Sequence, residues 1–127
     1  MEIGVLGYIG SRNIGDYIQT KAVIDMIQPI NYKVLDRETL HNFKGSKIKT
    51  IINGWFMKNP KNWPPNDNIS PLFISFHINP AAEKELLKQE SLNYLKQYEP
   101  IGCRDTYTQN ILQKNGIKSY HSSCITT

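Results

Sequence analysis

Short apolar runs alternate with longer amphipathic stretches along this chain. Ile3, Val5 and Leu6 form the first run, which predicts a buried strand because it is rich in branched residues and bounded by glycines. Further strands are predicted at residues 32–36, 49–53, 72–77, 100–103 and 117–121.

Helical patterns lie between several of these strands. We predict a helix over residues 16–27 and another over residues 81–98, broken near Ser91. A last helix is predicted to begin after Asp105 as its N-cap and to end at Asn115-Gly116. The apolar stripe of the second helix consists of Leu86, Leu87, Leu92 and Leu95.

This alternation of strands and helices predicts an α/β fold, with a Rossmann-like parallel sheet and helices on both faces. Residues 54–70, rich in Pro, Asn and Trp, are predicted as a long irregular loop. The whole chain, residues 1–127, is expected to form a single domain. Its functional residues are expected at the carboxyl ends of the parallel strands.

A glycine-rich turn follows the first predicted strand. Gly7, Gly10 and Gly15 allow a ligand to approach the backbone, and Asn13 or Asp16 can cap the helix that follows. A helix N-terminus at the end of a parallel strand favours anions. Gly10, Ser11 and Gly15 are therefore candidate substrate-binding residues.

Two common phosphate-binding motifs do not fit this turn. Asp16 and Tyr17 occupy the positions where a P-loop requires Lys and Ser or Thr, and a carboxylate there would repel a polyphosphate. The glycine spacing also departs from the dinucleotide fingerprint. Asp36, at the end of the second strand, is the one residue that favours dinucleotide binding, and a polar strand end is its ordinary alternative.

Composition and charge narrow the remaining possibilities. The chain has 127 residues, with neither a membrane-spanning apolar stretch nor a signal peptide recognisable. Two cysteines give no disulfide framework, which predicts a reduced, cytoplasmic protein. The net charge of +4 comes from scattered lysines, so an anionic small substrate is as compatible as nucleic acid, which we do not expect as a partner. His and Cys residues lack metal-ligand spacing, and we predict no metal site and no cofactor.

Polar residues at predicted strand and helix ends are the candidates for chemistry. Asp16 is a candidate base or hydroxyl-orienting acceptor, or else only a cap together with Asn13. Arg104 and Asp105 follow the fifth strand, where a guanidinium matches phosphate or carboxylate unless it pairs with a neighbouring carboxylate. His77 ends the fourth strand as a possible acid or base, although a structural histidine is the more common case.

Aromatic residues and amides in and beside the long loop suit a sugar. Asn53, Gly54 and Trp55, with Trp63 further on, offer hydrogen bonds and ring faces. The alternative is that both tryptophans pack against the sheet or against a second domain.

Several of these pieces together resemble the polysaccharide pyruvyl transferase family. The resemblance rests on an N-x-G-D turn, an N-G strand end and a late R-D-x-x-T segment followed by L-x-x-x-G. In this chain these are Asn13 to Asp16, Asn53-Gly54, Arg104 to Thr108 and Leu112 to Gly116. The match covers the N-terminal portion of such enzymes, which are similar to the two-domain GT-B glycosyltransferases.

The resemblance implies transfer of a pyruvyl group from phosphoenolpyruvate to a sugar hydroxyl of a cell-surface polysaccharide or its precursor. By motif position, it implies Arg104 as a donor clamp, Asp16 as a base and Asn13 as a residue that orients a hydroxyl. It also implies that a second domain is missing here, and self-association through the face so exposed is possible. A nucleotide-sugar glycosyltransferase of GT-B type and a non-catalytic sugar-binding remnant are the alternatives.

Overall fold

Six strands form one parallel sheet in the computed structural model, which describes residues 2–8, 14–56 and 60–122, with residues 15 and 54–56 described by their backbone only. The strands lie in the order β2-β1-β3-β4-β5-β6, and every neighbouring pair is parallel. The prediction of a Rossmann-like parallel sheet is therefore confirmed. The strands are β1 (Glu2–Gly7), β2 (Tyr32–Asp36), β3 (Ile48–Phe56), β4 (Ile69–Ile78), β5 (Ile101–Cys103) and β6 (Ser119–His121).

Four α-helices connect these strands in the described ranges, together with short 3-10 segments. The helices are α1 (Ile14–Ile27), α2 (Glu83–Leu86), α3 (Gln89–Lys96) and α4 (Thr106–Lys114). The 3-10 segments are Arg37–Asn42, Pro60–Asn62 and Pro80–Ala82. The helix predicted over residues 81–98 is interrupted a few residues before Ser91, because Lys88 has extended backbone angles and is the N-cap of α3. Ser91 is itself helical and buried.

The two faces of the sheet bury different residues, as alternation along the strands requires. Val5 and Ile51 point to one face, where Val23 of α1 packs on them. Leu6 and Ile52 point to the other face and join a larger core. That core also takes in buried leucines from α2, α3 and α4, namely Leu86, Leu95 and Leu112. Helices thus lie on both faces of the sheet.

The predicted loop over residues 54–70 is wrong in its extent. Residues 54–56 continue β3, and Ile69 and Ser70 already belong to β4. These added residues are stabilised by pairing between neighbouring parallel strands, from Ile48 opposite Ile69 to Phe56 opposite Ile78. Pairing of this kind depends on a partner strand and carries little local sequence signal.

A bulge interrupts β4 and changes which side chains face the core. The register passes from Ile52 opposite Phe73 to Gly54 opposite Phe76, so β4 contains one extra residue at this point. Ser75 adopts a positive φ of 57° there. Phe73 and Phe76 consequently both enter the larger core although they are three residues apart.

The strand order reverses direction between β1 and β3. The chain leaves β1 for β2 on one side and returns to place β3 on the other side. In open parallel sheets, ligands bind outside the carboxyl ends of the strands at such a switch point. A ligand site is therefore expected at this edge, beside the ends of β1 and β3.

Candidate functional site

Tyr8 lies at the centre of the polar residues at the carboxyl edge. It follows β1 directly and is only 5% exposed. The guanidinium carbon of Arg37, which follows β2, lies 4.4 Å from the centroid of its ring. The Tyr8 hydroxyl donates to the backbone oxygen of Asn53 in β3, at 3.4 Å. Tyr8 therefore links three adjacent strands at the switch point.

The charges around Tyr8 show which side chains share this region. Burial is the main influence on the pKa of Tyr8 and raises it to about 12. The negative charge of Asp16 also raises this pKa, whereas the positive charges of Arg37 and Arg104 lower it. Asp16 in the first turn of α1 and Arg104 after β5 therefore act on the same phenol. The structure brings these two predicted site residues to one edge of the sheet.

The side chain of Asn53 is used to hold the edge together. It is buried, and its Nδ2 donates to Oε1 of Gln19 at 3.2 Å, which ties β3 to α1. Thr20 adds a second tie, because its hydroxyl donates to the backbone oxygen of Leu6 at 2.8 Å. The start of α1 is thus fixed relative to β1 and β3.

Arg104 is partly buried, and its guanidinium forms a loose ion pair with Asp105. Its backbone nitrogen donates to the oxygen of Phe76 at 2.8 Å, which anchors it beside β4. Its side chain is 28% exposed, and Nε lies 3.8 Å from Oδ2 of Asp105, beyond hydrogen-bond distance. Within residues 2–8, 14–56 and 60–122, its guanidinium donates no hydrogen bond. Among the described residues, Asp105 is thus the one charged group that the Arg104 side chain approaches.

Asp105 caps α4, as predicted, and also holds His77. One carboxylate oxygen accepts from the backbone nitrogen of Thr108 at 2.8 Å, and the other lies 2.5 Å from Nδ1 of His77. Partial burial raises the pKa of Asp105, but hydrogen bonds from Thr108 and His77 outweigh it, and the net pKa is below the ordinary value.

The pKa of His77 is also lowered. Burial is the main cause and the charge of Arg104 adds to it, whereas Asp105 acts in the opposite direction. The imidazole is therefore neutral near neutral pH.

Trp63 lies in the core and away from the edge. It is 8% exposed, with its ring centroid 6.0 Å from that of Phe76 and 5.5 Å from that of Tyr94. Its indole nitrogen donates to Oγ of Ser91 at 2.7 Å. Trp63 therefore packs against the sheet, which was the alternative to a sugar-binding role. The structure does not place Trp63 beside the other candidate residues.

Some candidates are described only in part. Gly10, Ser11 and Asn13 lie outside the described residues. Gly15 belongs to α1, and Gly54 and Trp55 belong to β3, where their backbones pair with Phe76 and His77.

Tyr8 and Arg37 were missed by the sequence reasoning. Each directly follows a strand of the structure, so position close after a predicted strand was the available signal. Asp36, considered there as a ribose-binding acid, instead caps the 3-10 segment, and its Oδ1 accepts from the backbone nitrogen of Glu38 at 3.1 Å.

In the described part of the chain, no group of three His, Cys, Asp or Glu side chains is arranged to hold a metal ion. No described helix has the length and apolar character needed to cross a membrane. Cys103 is a free, buried thiol whose pKa burial raises to about 12.

The parallel sheet, its switch point and its polar edge define a Rossmann-like α/β domain with a candidate site for an anionic ligand. The family model for polysaccharide pyruvyl transferase matches residues 13–127. The chain belongs to the polysaccharide pyruvyl transferase family. No curated protein and no solved structure gives a significant match.

Proposed function

We propose that this chain forms the N-terminal domain of a two-domain enzyme that transfers pyruvyl from phosphoenolpyruvate to hydroxyls of a cell-surface polysaccharide or its precursor. The observation that carries the proposal is the guanidinium of Arg104 at the carboxyl edge, which is 28% exposed and donates no hydrogen bond to the residues that the structure describes. Phosphoenolpyruvate bears a phosphate and a carboxylate, and a guanidinium presents planar pairs of donors that match either group. Membership of the family supports the reaction class.

The proposed roles follow the positions of the side chains. Arg104 clamps the donor, and Asp16 across the edge orients or deprotonates a sugar hydroxyl. The buried guanidinium of Arg37 adds positive potential without contacting substrate, because it is only 2% exposed and its Nε bonds to Glu38 at 2.7 Å. The family motif assigns Asn13 to the hydroxyl as well.

A nucleotide-sugar glycosyltransferase is the second candidate function. A cationic edge at the switch point of a parallel sheet also suits a diphosphate, so the fold alone does not separate the two donors. What favours phosphoenolpyruvate is the family to which the chain belongs.

The face of the sheet that carries α1 supports a proposal of self-association. Ile14 of α1 is 75% exposed, and Ile18, Met26 and Leu72 of β4 are exposed as well. Exposed apolar side chains favour burial against another surface, and we propose that a second copy covers them. We also propose a cytoplasmic location, because the free thiol Cys103 is the state that a reducing compartment maintains.

Titration calorimetry of the complete gene product with phosphoenolpyruvate tests the role of Arg104. Removing a charge-assisted hydrogen bond costs about 1.5–3 kcal/mol, so Arg104→Ala is expected to weaken binding roughly 10- to 100-fold. Arg104→Lys should recover part of this loss, since it restores the charge without the planar fork.

Lys114→Ala is the matched control, because this exposed cation lies at the far end of α4. It should bind phosphoenolpyruvate as the unsubstituted protein does. Equal affinity for Arg104→Ala and the unsubstituted protein would contradict the donor-clamp role.

A further inference from the structure

The bulge in β4 determines where His77 points. Side chains alternate along a strand, so an unbroken strand would place His77 on the same face as Phe73, in the larger core. The extra residue at Ser75 shifts this alternation by one position. Phe76 and Ile78 take the core positions, and His77 between them is directed away from the core.

The two ring nitrogens of His77 have different surroundings. Nδ1 lies 2.5 Å from the Asp105 carboxylate and 3.5 Å from the hydroxyl of Thr108. An ionised carboxylate accepts a proton in a hydrogen bond, which places the imidazole proton on Nδ1. Nε2 has no partner among the described residues, and its lone pair is directed away from Asp105.

His77 also adjoins the proposed donor clamp. Oδ2 of Asp105 lies between Nδ1 of His77 and Nε of Arg104, at 2.5 Å and 3.8 Å. A ligand held by Arg104 therefore lies beside the imidazole. The charged groups that face His77 are Arg104 and Asp105, and Thr108 adds a neutral hydroxyl.

We propose that His77 carries the proton in pyruvyl transfer and that Asp105 positions it, an inference that rests on the proposed function. Nε2 accepts the proton of the sugar hydroxyl and delivers it to C3 of phosphoenolpyruvate, where the electron pair of the C2–C3 double bond forms the new C–H bond and C3 becomes a methyl group. The deprotonated hydroxyl oxygen forms a bond to C2, which loses the π electrons in this step, and the phosphate stays bonded to C2. Neutral imidazole is regenerated, and no other reactant is consumed in this addition step.

The electrostatic surroundings of His77 suit both halves of this transfer. A pKa below the usual value keeps the imidazole neutral and ready to accept a proton near neutral pH. The same shift makes the imidazolium a stronger acid, which helps it to protonate carbon. Turnover should fall as the pH drops through the lowered pKa, because the protonated ring cannot accept the hydroxyl proton.

Steady-state kinetics of the complete gene product with phosphoenolpyruvate and a panel of simple hexosides tests the proposal. His77→Gln is expected to lower kcat roughly 100-fold or more with little change in KM for phosphoenolpyruvate. Asp105→Asn should also lower kcat, because asparagine cannot hold the Nδ1–H tautomer as a carboxylate does. The loss should be smaller than for His77→Gln, because the imidazole remains and asparagine can still cap α4. His41→Gln is the matched control, since His41 belongs to the 3-10 segment after β2 and should leave kcat unchanged.

Nitrogen NMR of the His77 ring gives a readout that is independent of turnover. We expect the proton on Nδ1 near neutral pH, a changed pattern in Asp105→Asn, and a raised His77 pKa in Arg104→Ala. A proton on Nε2, or normal turnover by His77→Gln, would overturn the proposal and leave the proposed function intact. No turnover of phosphoenolpyruvate by the unsubstituted enzyme would instead overturn the proposed function, and this inference with it.

Discussion

Two arginines at the carboxyl edge, Arg37 and Arg104, differ in their burial and in the hydrogen bonds that their side chains form. Arg37 is buried, stacks over Tyr8 and bonds to Glu38, so its charge serves the local structure and the potential of the edge. The side chain of Arg104 is partly exposed, and its guanidinium donates no hydrogen bond within the described residues. Burial and hydrogen-bond commitment, more than charge, therefore separate the candidate ligand-binding residue from the structural one.

Trp63 provides a prediction at the level of a single residue. Trp63→Ala is expected to lower the free energy of unfolding by about 3–5 kcal/mol, because it leaves a large cavity among Phe73, Phe76 and Tyr94. Trp63→Phe keeps much of the ring packing and should cost less. Chemical denaturation of both variants gives these free energies.

The same variants separate a core residue from a sugar-binding one. Trp63→Phe should bind phosphoenolpyruvate and hexosides as the unsubstituted protein does. A variant of unchanged stability that loses hexoside binding would show that the core assignment is wrong.

Sequence alone could place Arg104, Asp105 and His77 at strand ends, because position after an apolar run is visible in the pattern. It could not decide between the two environments considered for Trp63. That choice depends on Phe73, Phe76 and Tyr94, which come from distant parts of the chain. Tyr8 and Arg37 were missed for a similar reason, since their contact joins the ends of two strands in space.

Among the features of the strands and helices, the bulge in β4 affects the site most, because it sets the orientation of His77. Ser75 has a φ of 57°, a conformation that costs a residue with a side chain roughly 1–2 kcal/mol and that glycine adopts readily. The alternation of apolar and polar residues in β4 does not signal this position, and serine is not a residue that usually marks a positive φ. The orientation of His77 could therefore not be predicted from the sequence.

A matched pair of substitutions at Ser75 tests the bulge. Ser75→Val should destabilise the fold by more than Ser75→Gly, because a β-branched residue is strongly disfavoured at positive φ. Ser75→Gly should also retain the nitrogen NMR pattern of His77, since the bulge persists. Equal stability of the two variants in chemical denaturation would contradict a bulge at this residue.

Local sequence patterns predict most of the strands and helices. Where the structure extends a strand beyond its predicted end, the cause is pairing with a neighbouring strand. The central part of each strand and the capped start of α4 were visible in the sequence. The extension of β3 to Phe56 was not, because residues 54–56 gain their strand conformation from neighbours in β4. Likewise, the helix is interrupted at Lys88, a few residues before the predicted break near Ser91.

For the whole molecule, the strand order gathers the polar side chains at one edge. Residues at the carboxyl ends of β1, β2, β4 and β5 lie at the same edge because all strands of the sheet are parallel. The sequence predicted the parallel sheet, and with it the edge, but not the order that sets Tyr8 between its charged neighbours. The proposed donor site depends on this arrangement and not on a single motif.

The most direct test of the account is to measure by phosphorus NMR which donor the complete gene product consumes in the presence of the hexoside panel. We predict that phosphoenolpyruvate is consumed and inorganic phosphate released in step with acceptor modification, while nucleotide-sugars remain intact. Consumption of a nucleotide-sugar with phosphoenolpyruvate untouched would contradict the central claim that this edge binds the donor of a pyruvyl transfer.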